Sequence, residues 1–200
     1  FVLLIAAWQA ASSVGLLPDL LMPSPAAIVR ALVELWLNGT LVEHITASLK
    51  RIIPGWIIGT AAGLAVGTAM GIFSAARAAA LPIVSALFPI PKIALLPVLI
   101  LWFGIGEPSK VATIALGVFF PTVISAYSAC DAVPRNLIRM GQSFGLRATD
   151  IVAKIILPGS MPGILAGFRI SASVALLLVV AAEMIGAQYG IGAFVLQAGN

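Results

Sequence analysis

From Ile52 to Ala76 the chain carries no charge, and Gly55, Gly59, Gly63, Gly67 and Gly71 recur there at every fourth position. About 20 apolar residues suffice for a helix to cross the hydrocarbon core of a bilayer. A step of four keeps the glycines in a slowly drifting stripe along one face, the small-xxx-small pattern that lets membrane helices approach closely. Packing explains such a stripe more simply than a ligand does. The fold must therefore provide lipid around this helix and a second helix against its glycines.

Composition agrees. The chain is 61% hydrophobic and 9% charged, against about 45–50% and 25% in soluble domains. A soluble globule of this length has too little interior to hide that surface, so lipid covers part of it. The apolar runs are continuous rather than alternating in segments of about ten residues, which excludes a β-barrel. The net charge of +4 comes from scattered basic residues; no basic stripe with interleaved aromatics suggests nucleic acid. Cys130 stands alone, so there is no internal disulfide or cysteine metal set, and it reads as a small core residue at a helix end. Phe1–Leu17 lacks the basic start and cleavage-like site of a signal peptide.

The expected fold is one all-α transmembrane domain over 1–200. Five spans are expected, Phe1–Leu17, Ile52–Ala76, Leu81–Phe103, Val111–Cys130 and Ile170–Tyr189, with a sixth beyond Asn200 and a cytoplasmic piece before Phe1. Pro18–Arg51 is partly polar and reads as short interfacial helices, with His44 solvated or at headgroup level. Arg77, Arg135, Arg139, Arg147, Lys154 and Arg169 on one side outnumber Arg30, Lys50, Arg51 and Lys110 on the other. That bias places residues 131–169 in the cytoplasm.

Between Asp131 and Gly159 the chain becomes polar. Pro134 suits the first turn of a helix over Arg135–Phe144, and Gly145 suits a left-handed cap at its end. Leu146–Ile156 reads as a second short helix that Pro158 and Pro162 close. The resulting elbow either rests on the membrane surface or fits a groove on a cytoplasmic protein.

Two charges interrupt the apolar runs, and burying an ionisable group in a membrane is costly enough to make each a functional candidate. Lys92 sits among Pro89, Pro91 and Pro97, whose irregular backbone survives at membrane depth only beside protein or a watery cavity. These four residues read as pathway-lining, with Lys92 either attracting an anion or pairing with Glu183 or freed carbonyls. Glu183 reads as part of an outer gate, a partner of Lys92, or a selectivity element.

Gly145, nine residues, Ile155, one residue, then Leu157–Pro158 resembles the cytoplasmic "EAA" loop of binding-protein-dependent ABC importer permeases. The acidic-Ala-Ala opening falls at Arg139–Met140–Gly141, a departure from the family pattern. Pro91–Lys92–Ile93–Ala94–Leu95–Leu96–Pro97 and Leu101–Trp102–Phe103–Gly104–Ile105–Gly106 resemble the nitrate/sulfonate/taurine/bicarbonate branch. So do Leu21–Met22–Pro23–Ser24–Pro25, His44–Ser48–Leu49–Arg51, and Ala181–Ala182–Glu183–Met184–Ile185–Gly186 with Gly190–Ile191–Gly192.

This resemblance implies the type I importer fold and an ATPase-coupling role for Arg139, Met140, Gly141, Phe144, Gly145, Leu146, Asp150, Ile155, Leu157 and Pro158. It implies two cytoplasmic ATPase subunits, a second permease copy in a homodimer, and a periplasmic or lipid-anchored substrate-binding protein. The setting would be the bacterial inner membrane, crossed several times. The chain has no G-x-x-x-x-G-K-[ST] loop, so ATP and Mg would sit on the partner and this subunit would be no enzyme. The solute would be a small anion such as a sulfonate, taurine, nitrate or bicarbonate; related permeases carry thiamine-precursor-like pyrimidines. A secondary transporter or channel would need paired broken helices in repeated halves, and a membrane enzyme would need clustered His, Asp or Glu.

Overall fold

The computed structural model describes residues 1–15 and 22–199, and among them every regular element is helical. The elements are α1 (Val2–Ser13), α2 (Pro25–Leu37), α3 (Thr40–Ile72), α4 (Ser74–Leu87), α5 (Leu96–Phe103), α6 (Glu107–Asp131), α7 (Arg135–Ser143), α8 (Ala148–Ile151), α9 (Leu157–Gly186) and α10 (Ile191–Gly199). A 3-10 turn over Lys92–Leu95 precedes α5, and a π-helical turn over Val152–Ile156 joins α8 to α9.

The chain divides into two compact units, Phe1–Thr46 and Ala47–Asn200. In the first, Ser24 caps α2 by accepting the Ala27 N–H at 3.2 Å, with Pro25 in the first turn. Gln9 of α1 takes the neighbouring Ala26 N–H at 3.1 Å. His44 is buried rather than solvated. The expected crossing Phe1–Leu17 extends into residues 16 and 17, outside the described ones. The helix that is described has 12 residues, about 18 Å at 1.5 Å per residue, which is shorter than the hydrocarbon core. Leu21, which opens one of the sequence motifs, also lies outside the described residues.

In the second unit α6 is the central helix. The glycines of α3 lie along one side of it: a Cβ on Gly55 would stand 2.8 Å from Ile114, and one on Gly63 2.7 Å from the Phe119 carbonyl. Gly59, Gly67 and Gly71 abut Ala115, Val123 and Cys130 in turn. Against α9 the contact is made by Gly163 on Ala129, Gly167 on Ser125 and Gly117 on Leu178. Small residues on both seams bring three helix backbones close enough for dispersion and weak polar contacts to hold them in lipid. Ile114, Val118, Ala175 and Val179 form the interior between α6 and α9, and Trp56 donates its indole N–H to Ser171 at 3.0 Å.

Three helical stretches are long and apolar enough to cross a membrane, Thr40–Ile72, Glu107–Asp131 and Ala148–Gly186. The pair Ser74–Leu87 and Lys92–Phe103, bent by 87°, is long and apolar enough only when taken together, as a broken span or a re-entrant loop. Several boundaries differ from the sequence reading: α6 begins at Glu107 rather than Val111, and α9 runs Leu157–Gly186 rather than Ile170–Tyr189, so Arg169 lies inside it. α3 begins at Thr40, so Lys50 and Arg51 are inside the helix; Arg51 is tolerated there because carboxylates neutralise it. Pro158 and Pro162 do not end a helix. Pro158 occupies the first turn of α9 directly after the π turn, and Pro162 lies within α9. A wider turn before a proline relieves the clash of its ring with the carbonyl four residues earlier.

Candidate functional site

The polar elbow spans α7, α8 and the π turn. Pro134 precedes α7, and Gly145 adopts φ +72° after it. The Gly145 N–H bonds to the Gln142 carbonyl at 3.0 Å and the Leu146 N–H to the Gly141 carbonyl at 3.1 Å. This paired pattern, a Schellman cap, satisfies the end of the helix and requires a left-handed residue at Gly145. Gly141 is buried against Ile155, Ile151 and Leu146, where a Cβ would lie 2.8 Å from Ile155. Gly141, Leu146 and Ile155 therefore form the inner side of the elbow.

The outer side carries other candidates. Leu137, Met140 and Phe144, spaced by three and four residues on one face of α7, are exposed, Met140 by 51% and Phe144 by 78%. Arg139 and Arg147 are exposed as well. Asp150 is bridged to Lys154 at 3.0 Å, while Leu157 and Pro158 lie at the start of α9. An exposed apolar stripe with basic residues beside it suits either a protein groove or a membrane surface.

At the break between α4 and α5, Pro89 and Pro91 stand in the gap and Pro97 falls in the first turn of α5. Lys92 Nζ donates to the carbonyls of Leu87, Phe88 and Ile90 at 2.7, 3.1 and 2.7 Å. It also lies 4.4 Å from the centroid of the Phe120 ring. An ammonium has three donors, and here all three cap the end of α4, where the helix dipole favours a cation. Leu95, Val98, Leu99, Trp102 and Leu116 complete a cavity of about 250 Å³ around it. Lys92 and Glu183 are not brought together.

Glu183 instead belongs to an ionic cluster. It is 1% exposed, and its carboxylate accepts Ser48 Oγ–H at 2.8 Å, Arg51 Nη1 at 2.7 Å and the Gly192 N–H at 2.9 Å. Arg51 turns its other edge to Glu107, with Nε and Nη2 each 2.6 Å from one carboxylate oxygen. Lys110, 5% exposed, donates to the Gly106 carbonyl at 3.1 Å. Buried Arg51 is thus paired with one buried carboxylate, Glu183, and one exposed one, Glu107, the kind of pairing under which a buried charge persists. The cluster sits at the Glu107 end of α6 and the elbow adjoins its Asp131 end. That separation is about 36 Å for 25 residues.

Glu107 is the residue that sequence reasoning missed. Its only sequence signal is an acidic residue in the first turn of a span, which ordinarily reads as a helix-dipole preference. Arg77 and Asp131 meet at the elbow end at 3.1 Å, so Arg77 lies on the same side as the elbow.

Residues 55–200 match the family described as binding-protein-dependent transport system inner membrane component. The chain belongs to that family and is a multi-pass ABC transporter permease. It is 35% identical to the taurine transport system permease protein TauC of Escherichia coli (strain K12), across 98% of this chain and 74% of that one. It is 33% identical to the putative aliphatic sulfonates transport permease protein SsuC of Bacillus subtilis (strain 168), across 98% and 71%. Its fold is similar to that of the MetNI methionine ABC transporter in inward-facing form, with a TM-score of 0.70 at 22% identity over 80% of each chain. Membership implies an ATPase and a substrate-binding protein as partners.

Proposed function

We propose that this chain is one of two identical permease subunits of an ATP-driven importer for a small anionic, sulfonate-type solute. The observation that carries the reading is its similarity along nearly the whole chain to permeases named for taurine and aliphatic sulfonate transport. Nitrate and bicarbonate belong to the same chemical class of small anions. The setting would be the bacterial inner membrane, with the elbow in the cytoplasm. Five crossings would count α1 as the first and the bent pair as the third, and α10 would lead into a sixth.

Two cytoplasmic ATPase subunits would hold ATP and Mg, and each would receive one elbow through Met140 and Phe144 with Arg139 beside them. The inner residues Gly141, Leu146 and Ile155 would pass the displacement to α9, since the π turn makes α8 and the span one continuous helix. ATP-driven closure would draw the elbows together and turn the cavity toward the loaded binding protein; hydrolysis would return it to the cytoplasm. This is alternating access between two packings. Lys92 would act on an anion through its field, its donors being committed to carbonyls.

The test is reconstitution of the full permease with its ATPase and binding protein in vesicles, followed by uptake of labelled taurine, nitrate, bicarbonate and a thiamine-precursor pyrimidine. ATP-dependent uptake of taurine above the others is the expected result. Uptake of the pyrimidine alone, or uptake driven by an ion gradient without ATP, would overturn the reading.

A further inference from the structure

The transport reading leaves the cluster around Glu183 without a task. We propose that Glu183 is a positioning residue that pins residues 187–190 and the start of α10 to α3 and α6, at the end of the bundle away from the elbow.

The bonds run to four segments. Glu183 reaches α3 through Ser48 and Arg51, and α10 through the Gly192 N–H. Ser48 Oγ in turn accepts the Ile191 N–H at 2.9 Å, and Arg51 Nη1 donates to the Tyr189 carbonyl at 2.7 Å. Through Arg51 the pin continues to Glu107 at the head of α6. The first two N–H groups of α10, which no intrahelical carbonyl can serve, are thereby satisfied by side chains of the cluster.

The backbone passes the carboxylate at contact distance. A Cβ on Gly190, whose φ is +131°, would collide with the Glu183 carboxylate, and one on Gly192 with the Val180 carbonyl. The chemistry also requires an anion. Both oxygens face donors, so an amide at this position would turn an NH2 group toward either Arg51 or the Gly192 N–H. An unsatisfied buried group is expensive, and the turn, which carries no span of its own, would give way to it.

The experiment uses two cysteines, one at a time, in the full-length permease assembled with its ATPase in nanodiscs. Ala193→Cys in a Cys130→Ser background reports on α10, where Ala193 is buried. The native Cys130, buried at the other end of α6, reports on the bundle as a whole. The probe is the rate of modification by N-ethylmaleimide.

Adding Glu183→Gln is expected to speed modification at position 193 at least tenfold and leave Cys130 within twofold. Glu183→Asp, which keeps the anion, is expected to restore protection to within threefold of the parent. Ser48→Ala, milder for folding, is expected to give about a threefold acceleration at 193 alone. Equal acceleration at both cysteines, none at 193, or an Asp variant as fast as Gln would overturn the proposal. None of these readings involves solute, so absence of taurine uptake would count against the importer reading only.

Discussion

Asp131 accepts a hydrogen bond from Arg77 at 3.1 Å, joining the first turn of α4 to the last residue of α6. The same carboxylate oxygen takes Arg135 of α7 at 3.2 Å, so one acid ties the bent pair to the elbow. All three groups are partly exposed, and such pairs contribute about 0–1 kcal/mol. Asp131→Asn is therefore expected to shift the melting temperature by only a few degrees while lowering the solute moved per ATP about twofold or more. Simultaneous assays of uptake and phosphate release would check it; an unchanged ratio would remove the link.

Gly145→Pro should uncouple the transporter. Proline holds φ near −65°, whereas Gly145 sits at +72° and donates its N–H to Gln142. The substitution breaks both the turn and the bond, yet the spans are untouched. The protein should still insert in the membrane, with ATP hydrolysis no longer matched by uptake. Normal uptake in this variant would sink the coupling role.

Phe144→Ala removes the most prominent apolar group of the elbow without opening a cavity, because the side chain is 78% exposed. Affinity for the ATPase, measured by titration in detergent, should fall about tenfold, or about 1.4 kcal/mol. Melting of the isolated permease should stay put. Equal affinity would place the contact elsewhere on the elbow.

The glycine seam permits a contrast. A Cβ on Gly63 would press on the Phe119 carbonyl at 2.7 Å, and backbone cannot swing aside. Gly63→Val should cost about 1–3 kcal/mol or more, as overpacking does. Gly186 has no atom within 4 Å of its built Cβ, so Gly186→Ala should be near neutral. Thermal aggregation curves for the two variants would decide; equal melting temperatures would contradict the seam.

Lys92→Met deletes three hydrogen bonds to carbonyls at the end of α4. The freed carbonyls should destabilise the break by about 1–3 kcal/mol, and anion uptake should fall if the lysine field draws solute. Unchanged uptake and apparent affinity would exclude Lys92 from the pathway.

Much of this was legible in the chain. Gly145 could be assigned its cap because only glycine accepts positive φ cheaply, and the seam of Gly55–Gly71 follows from helical periodicity. Both are local properties. The division of the elbow was less legible: Arg139, Met140, Gly141 and Phe144 are close in sequence, yet Gly141 faces inward and Met140 and Phe144 outward. The prolines misled for a related reason. Pro158 and Pro162 disfavour a helix locally, but a π turn and membrane packing offset that preference.

By itself the sequence determined the solvent, the helical class, the polar elbow and the seam, since each depends on the character of neighbouring residues. Which charges pair was decided only by the tertiary structure. Arg51 finds Glu107 and Glu183 at separations of 56 and 132 residues, and Lys92 finds carbonyls within five residues of itself. Burial in lipid requires that every charge be neutralised or bonded, but it does not name the partner. The partner is whichever group the packed helices bring within about 3 Å.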